Sequence, residues 1–216
     1  MHEILYSFFK GIAFGFTMAA IPGPIFFLII QRTLSEGILT GLFCGMGAIT
    51  ADTVYALIAA VGLSFIMEFL LAYQAWITFL GGFFLMYLAY TTYHRKPKYH
   101  NVPAGTGKLI TAWLSTFLLT MSNPVTIVSY CLVFASMGLD TVDENRTALF
   151  ALVGGVLLGA ASVFVILLSC LKYFRKHISL DKLILVNKIA AVALFFFAFG
   201  TLIKSYNMFS SGACRL

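Results

Sequence analysis

Charge is what this chain has least of. Fourteen Lys and Arg and eight Asp and Glu make up 10% of 216 residues, against 61% hydrophobic residues and a mean hydropathy of +0.96. Soluble globular domains carry roughly 25% charged residues, so a soluble enzyme or binding module is excluded. Cysteine is also sparse. Cys44, Cys131 and Cys170 fall inside apolar stretches with no CxxC pair, and Cys214 lies in the tail; they read as small apolar packing residues and do not report a redox compartment. His2, His94, His100 and His177 are terminal or in loops without metal-ligand spacing, so no metal site is expected. No serine, histidine and acid set converges in the apolar stretches. Gly105-Thr106-Gly107-Lys108 lacks the first glycine and the following Ser or Thr of a phosphate-binding loop. The expectation is no enzyme, no cofactor and no repeat array or low-complexity segment.

What the chain has is apolar length. Its hydrophobic runs are each about 20 to 28 residues long, enough at 1.5 Å per residue to cross a hydrocarbon core of roughly 30 Å with some tilt. Six spans are predicted: Tyr6 to Ile30, Ile38 to Ile66, Phe69 to Tyr90, Leu109 to Met137, Thr147 to Leu171 and Leu183 to Tyr206. The fold class is therefore all-α, a polytopic integral membrane bundle of six transmembrane helices. The first span is too long for a signal peptide, follows Glu3 and lacks a convincing cleavage site at Ala19-Ala20, so it is kept as a helix.

The few charges are unevenly placed. Arg95, Lys96, Lys98 and Lys108 crowd one loop and Lys172, Arg175, Lys176 and Lys182 another, so both loops are expected on the cytoplasmic side. Asp140, Asp143 and Glu144 outnumber Arg146 between them, and the turn near Glu68 has no base. Both termini then face outward. The formal charge of +6 reflects this topology and contact with membrane lipids rather than nucleic acid, which is not expected as a partner. Three crossings per half force the second triplet to run upside down, so the halves read as inverted repeats. The division is residues 1–92 for the first three-helix repeat, 93–108 for a basic connecting loop, 109–209 for the second repeat and 210–216 for a disordered tail.

Two spans are broken by proline near mid-membrane depth, at Pro22-Gly23-Pro24 and at Asn123-Pro124. Backbone freed by proline in a bilayer must find partners in protein or in a water-lined cavity, and breaks in corresponding helices of two halves point to a transport site. A plain proline kink is the bland alternative. Asp52 lies about 14 residues into the second span, roughly 21 Å from its start. A charged Asp there costs on the order of 3 kcal/mol, so it should face the interior, be paired or be neutral. It is a candidate proton or cation site, against an inert carboxyl bonded to neighbouring hydroxyls. No base is expected at its depth, since Lys10, Arg32, Lys188 and Lys204 lie nearer span ends and can snorkel. Thr111, Ser115, Ser122, Thr126 and Ser129 share one face of the fourth span, offering hydroxyls to a polar cavity or ordinary interhelical glue. Gln31 and Asn187 near span ends are weaker pathway candidates. Gly37, Gly41 and Gly45, and Gly155 and Gly159, are spaced by four, which permits close helix approach within the bundle or at a dimer face; a homo-oligomer stays open.

These motifs carry a family resemblance. Pro22-Gly23-Pro24, Gly47-Ala48-Ile49-Thr50-Ala51-Asp52 and Ser122-Asn123-Pro124-Val125-Thr126-Ile127 resemble the LysE/RhtB family of bacterial amino-acid exporters. Gly154 to Ala160 and Val186-Asn187-Lys188-Ile189 resemble its fifth and sixth spans. The resemblance implies a multi-pass protein of the bacterial cytoplasmic membrane that exports amino acids or similar small metabolites, driven by the proton motive force. Two departures stand out: Ala51-Asp52 replaces the family's usual Gly-Asp, and Val125 stands where many members carry lysine. That loss removes a partner for Asp52 or for a substrate carboxylate, so the substrate does not carry over. The expected site is Pro22, Gly23, Pro24, Asp52, Ser122, Asn123, Pro124 and Thr126, with Asp52 as the proton site. The alternative is efflux of a cation or metal ion, for which one acid is a poor transition-metal site. A transmembrane thiol carrier would need paired cysteines beside the breaks.

Overall fold

The computed structural model describes residues 2–60, 69–94, 105–123, 126, 129–130, 146–175 and 180–210. The expected loop from Tyr93 to Lys108 lies mostly outside the described residues, as do Pro124, Val125 and the tail beyond Ser210. Among the described residues the chain is helical and has no strand. Seven helices set the frame: α1 (His2–Ala20), α2 (Pro24–Glu36), α3 (Ile38–Ala60), α4 (Gln74–His94), α5 (Thr106–Met121), α6 (Arg146–Arg175) and α7 (Leu180–Ser210).

Four of these, α3, α4, α6 and α7, are long and apolar enough to cross a membrane, and α1 with α2 makes a fifth if the pair is one bent span. The expected first span is the main departure. It ends at Ala20, and after Ile21-Pro22-Gly23 the chain restarts as α2, turned by 71°. Pro24 takes the first helical position, where a missing N–H costs nothing and a fixed φ favours the turn. The helix then runs past the predicted limit at Ile30 to Glu36. Gly37, at φ 114° and ψ 162°, ends it in a backbone region open essentially to glycine alone. With Gly37 as the single residue between them, α3 begins at once.

Packing follows the small residues. α1 lies against α6, where a Cβ on Gly11 would strike the Leu152 carbonyl oxygen, and one on Gly155 or Gly159 would strike the carbonyl oxygens of Phe8 or Ile12. Backbones approach this closely only where side chains are absent. The four-residue glycine spacing of α6 thus serves a contact inside the bundle. α3 is held between α5 and α6, α4 packs along α7, and α2 leans on α3 and α7. Tyr55, Tyr130, Leu152 and Val156 form one core cluster, and Ile29, Cys44, Ala48, Ala112 and Phe164 another. Leu80, Phe83, Tyr87 and Phe199 point outward. Such a surface suits lipid tails, and the chain is a multi-pass membrane protein.

Candidate functional site

The break between α1 and α2 exposes two helix ends of opposite polarity. The last carbonyls of α1 have no donors within the helix, and the first amides of α2 have no acceptors. Gly23 caps α2 without a side-chain hydrogen bond, and Phe27 N is the first amide to bond back, to Gly23 O at 3.2 Å. The amides of Ile25 and Phe26 therefore remain at a partially positive helix start. Both residues line a cavity of about 340 Å³, together with Met18 and Ala19 from the end of α1 and with Pro22, Gly23 and Pro24 themselves. That volume is at the small end for metabolite sites.

A second break reaches the same cavity. α5 stops at Met121, with Ser122 N and Asn123 N bonding back to Leu118 O and Thr120 O at 2.9 and 3.1 Å. The Tyr55 hydroxyl donates to the Met121 carbonyl at 2.6 Å, so an oxygen released where the helix ends is satisfied from α3. Tyr55 stacks on Tyr130 at 5.8 Å, which holds the hydroxyl in place. One turn before Tyr55, Asp52 enters the cavity, facing Thr120, Asn123 and Thr126. Among the described residues no hydrogen bond or ion pair ends on the Asp52 carboxylate.

Of the expected site residues, Pro22, Gly23, Pro24, Asp52, Asn123 and Thr126 meet here. Ser122 instead lines a narrower void with Pro24, Gly81 and Leu119, and its hydroxyl is taken by Leu118 O at 2.8 Å. Pro124 lies outside the described residues. The hydroxyl face of the fourth span does not act as one surface: Thr111 bonds its own helix at Gly107 O, and Ser115 serves Arg32.

Two sequence expectations are corrected. Arg32 does not snorkel. Only 7% of it is exposed, and Nη1 donates to Ser115 Oγ at 2.7 Å and to the Ala112 carbonyl at 3.3 Å. Beside it, Gln31 Nε2 and Ser35 Oγ donate to Asn187 Oδ1 at 3.0 and 2.5 Å, and Lys108 pairs with the buried Glu36 at 3.2 Å. These contacts join the last turns of α2 to α5 and α7. The second concerns the base not expected near Asp52: Lys204 is exposed near the end of α7, as its place near a span end suggests, yet it lines the same cavity as that acid. Thr120, Thr201 and the aromatic wall of Phe26, Phe164, Phe196 and Phe197 were missed as well. The signal was present in α7, where 196, 197, 200, 201 and 204 share a helical face.

A family model described as LysE type translocator matches residues 16–205, most of the chain. The chain belongs to the LysE type translocator family. As a translocator it is a transporter and not an enzyme. A relative from Bacillus subtilis (strain 168), named "Putative amino acid efflux protein YcgF", is 27% identical over 157 residues, covering 70% of this chain and 74% of its own length. No solved structure matches. Both helix breaks and the acid-bearing turn of α3 fall inside the matched LysE segment.

Proposed function

We propose that this LysE-type translocator exports amino acids or similar small polar metabolites from the bacterial cytoplasm by proton antiport. One observation carries the reading: two interrupted helices and a single intramembrane carboxylate, far apart in sequence, line one cavity. Breaks that satisfied only their own packing would have no reason to converge on an acid. The name of the B. subtilis relative supports amino acids as the substrate class.

Six passes arranged as two inverted triplets fit this reading. Residues 126 and 129–130, beyond the end of α5, are helical, which supports a sixth pass. The packing pairs support the repeat. Taking α1 with α2 as the first pass, the first pass packs on the fifth, the second on the fourth, the second on the fifth and the third on the sixth. Although the contact of α2 with α3 has no exchanged counterpart among the described residues, exchanging the halves returns these four pairs. An inverted repeat with a pseudo-two-fold axis has this property.

In this mechanism the substrate ammonium binds Asp52 and the last carbonyls of α1, and the carboxylate turns toward the start of α2 or the Asn123 amide. Rocking of one half against the other alternates access. Outside, Asp52 accepts a proton and loses its hold on the ammonium; inside, it returns the proton to the cytoplasm. One zwitterion leaves for each proton that enters. A proton descending roughly 150 mV supplies about 3.5 kcal/mol, enough for a gradient of a few hundredfold. In proteoliposomes, Asp52→Asn is expected to abolish pH-driven efflux while leaving the protein folded. Wild-type coupling in that variant would remove Asp52 from the mechanism.

A further inference from the structure

We infer that Lys204 is the carboxylate anchor of the cavity, and that with Asp52 it selects amino acids whose own side chains are uncharged and apolar. The inference deepens the exporter reading and rests on it. The cavity holds one acid from α3 and one base from α7. Among the described residues neither is in an ion pair, so each is open to a third partner. A small cation meets attraction from Asp52 and repulsion from Lys204, and a small anion meets the reverse. A zwitterion satisfies both and adds no net charge to a cavity set among apolar helices.

The surroundings reinforce the polarity. Ile25 and Phe26, in the first turn of α2, line the same cavity, and a partially positive helix start favours an anionic oxygen. The ammonium end has the carboxylate of Asp52 and the carbonyl end of α1. With both charges committed to the head group, no charge stands among the described residues of the remaining wall. Phe26, Phe164, Phe196 and Phe197 form it. An aliphatic or aromatic substrate side chain belongs there, and an ionised one does not. Lys204 also explains how a cavity without lysine at position 125 can still hold a carboxylate.

The test is counterflow of radiolabelled leucine, phenylalanine and lysine in proteoliposomes. Unlabelled competitors lack one charge each: 3-methylbutylamine has no carboxylate and 4-methylpentanoate no ammonium. For the wild type, leucine or phenylalanine should exchange, lysine should not, and each single-charge analogue should compete about 10- to 100-fold more weakly than leucine. Lys204→Met should lose leucine affinity by a similar factor and close the gap between leucine and 3-methylbutylamine to a few-fold, while Lys204→Arg keeps most of it. The inference is overturned if the wild type takes 3-methylbutylamine as well as leucine, or prefers lysine, and neither result needs a variant to fold. It is equally overturned if Lys204→Met keeps wild-type discrimination. Counterflow of no amino acid by the folded wild type would instead defeat the exporter reading itself.

Discussion

A guanidinium inside an apolar bundle must find acceptors, and Arg32 finds them in Ser115 and the Ala112 carbonyl. Truncation leaves those acceptors buried without their donor and opens a void. Arg32→Ala is therefore expected to destabilise the protein by about 2–4 kcal/mol, read by thermal unfolding in detergent. Arg32→Lys should recover less than half of that, because a compact ammonium cannot reproduce the planar fork; full recovery would show that charge alone matters. Hydropathy could identify Asp52 as an unusual residue because it sits deep in an uninterrupted apolar run. It could not do so for Arg32, which follows the run ending at Ile30 and looks like an interfacial cation. Its burial depends on the turn at Ile21-Pro22-Gly23, whose direction is a tertiary property. The place of Lys204 beside the cavity was missed for the same reason: distance from the end of a span does not say what the adjoining break leaves open.

Among the elements, the pairing of α1 with α6 depends on backbone contact. Gly155→Ala would drive a methyl group into the Phe8 carbonyl oxygen, whereas Gly154 has open space around its missing Cβ. Gly155→Ala is expected to cost about 1–3 kcal/mol and Gly154→Ala to be neutral or to gain up to about 1 kcal/mol through helix propensity. Thermal unfolding of the two variants side by side decides the matter, and equal shifts would mean that the helices separate without cost. The spacing of these glycines was legible as a sign of close approach. The partner was not, since a small-residue stripe has no complementary signature in sequence and fits many apolar helices equally well. The two breaks were legible because proline acts locally. The 71° turn was not, because proline removes a bond without specifying where the chain goes next.

For the whole molecule, the polar contacts of α2 lie toward the opposite end of α7 from Lys204: Asn187 and Lys204 are 17 residues apart on that helix, or about 26 Å along its axis. Gln31, Ser35 and Asn187 sit on the side of the basic loops, as do Glu36 and Lys108, so under the proposed rocking mechanism they would hold the proposed cytoplasmic end shut. Asn187→Leu removes the acceptor of Gln31 and Ser35. In a cysteine-free background with Thr40→Cys as a buried reporter, it is expected to raise labelling by a membrane-impermeant thiol reagent from the cytoplasmic side by about fivefold or more. Unchanged labelling would place the closure elsewhere. The single glycine joining α2 to α3 adds a mechanical constraint. With no slack at that elbow, a swing that starts at the proline pair would be transmitted as by a crank to the rod bearing Asp52, so under the proposed mechanism the machine would not change which compartment it faces without also relocating its proposed proton carrier.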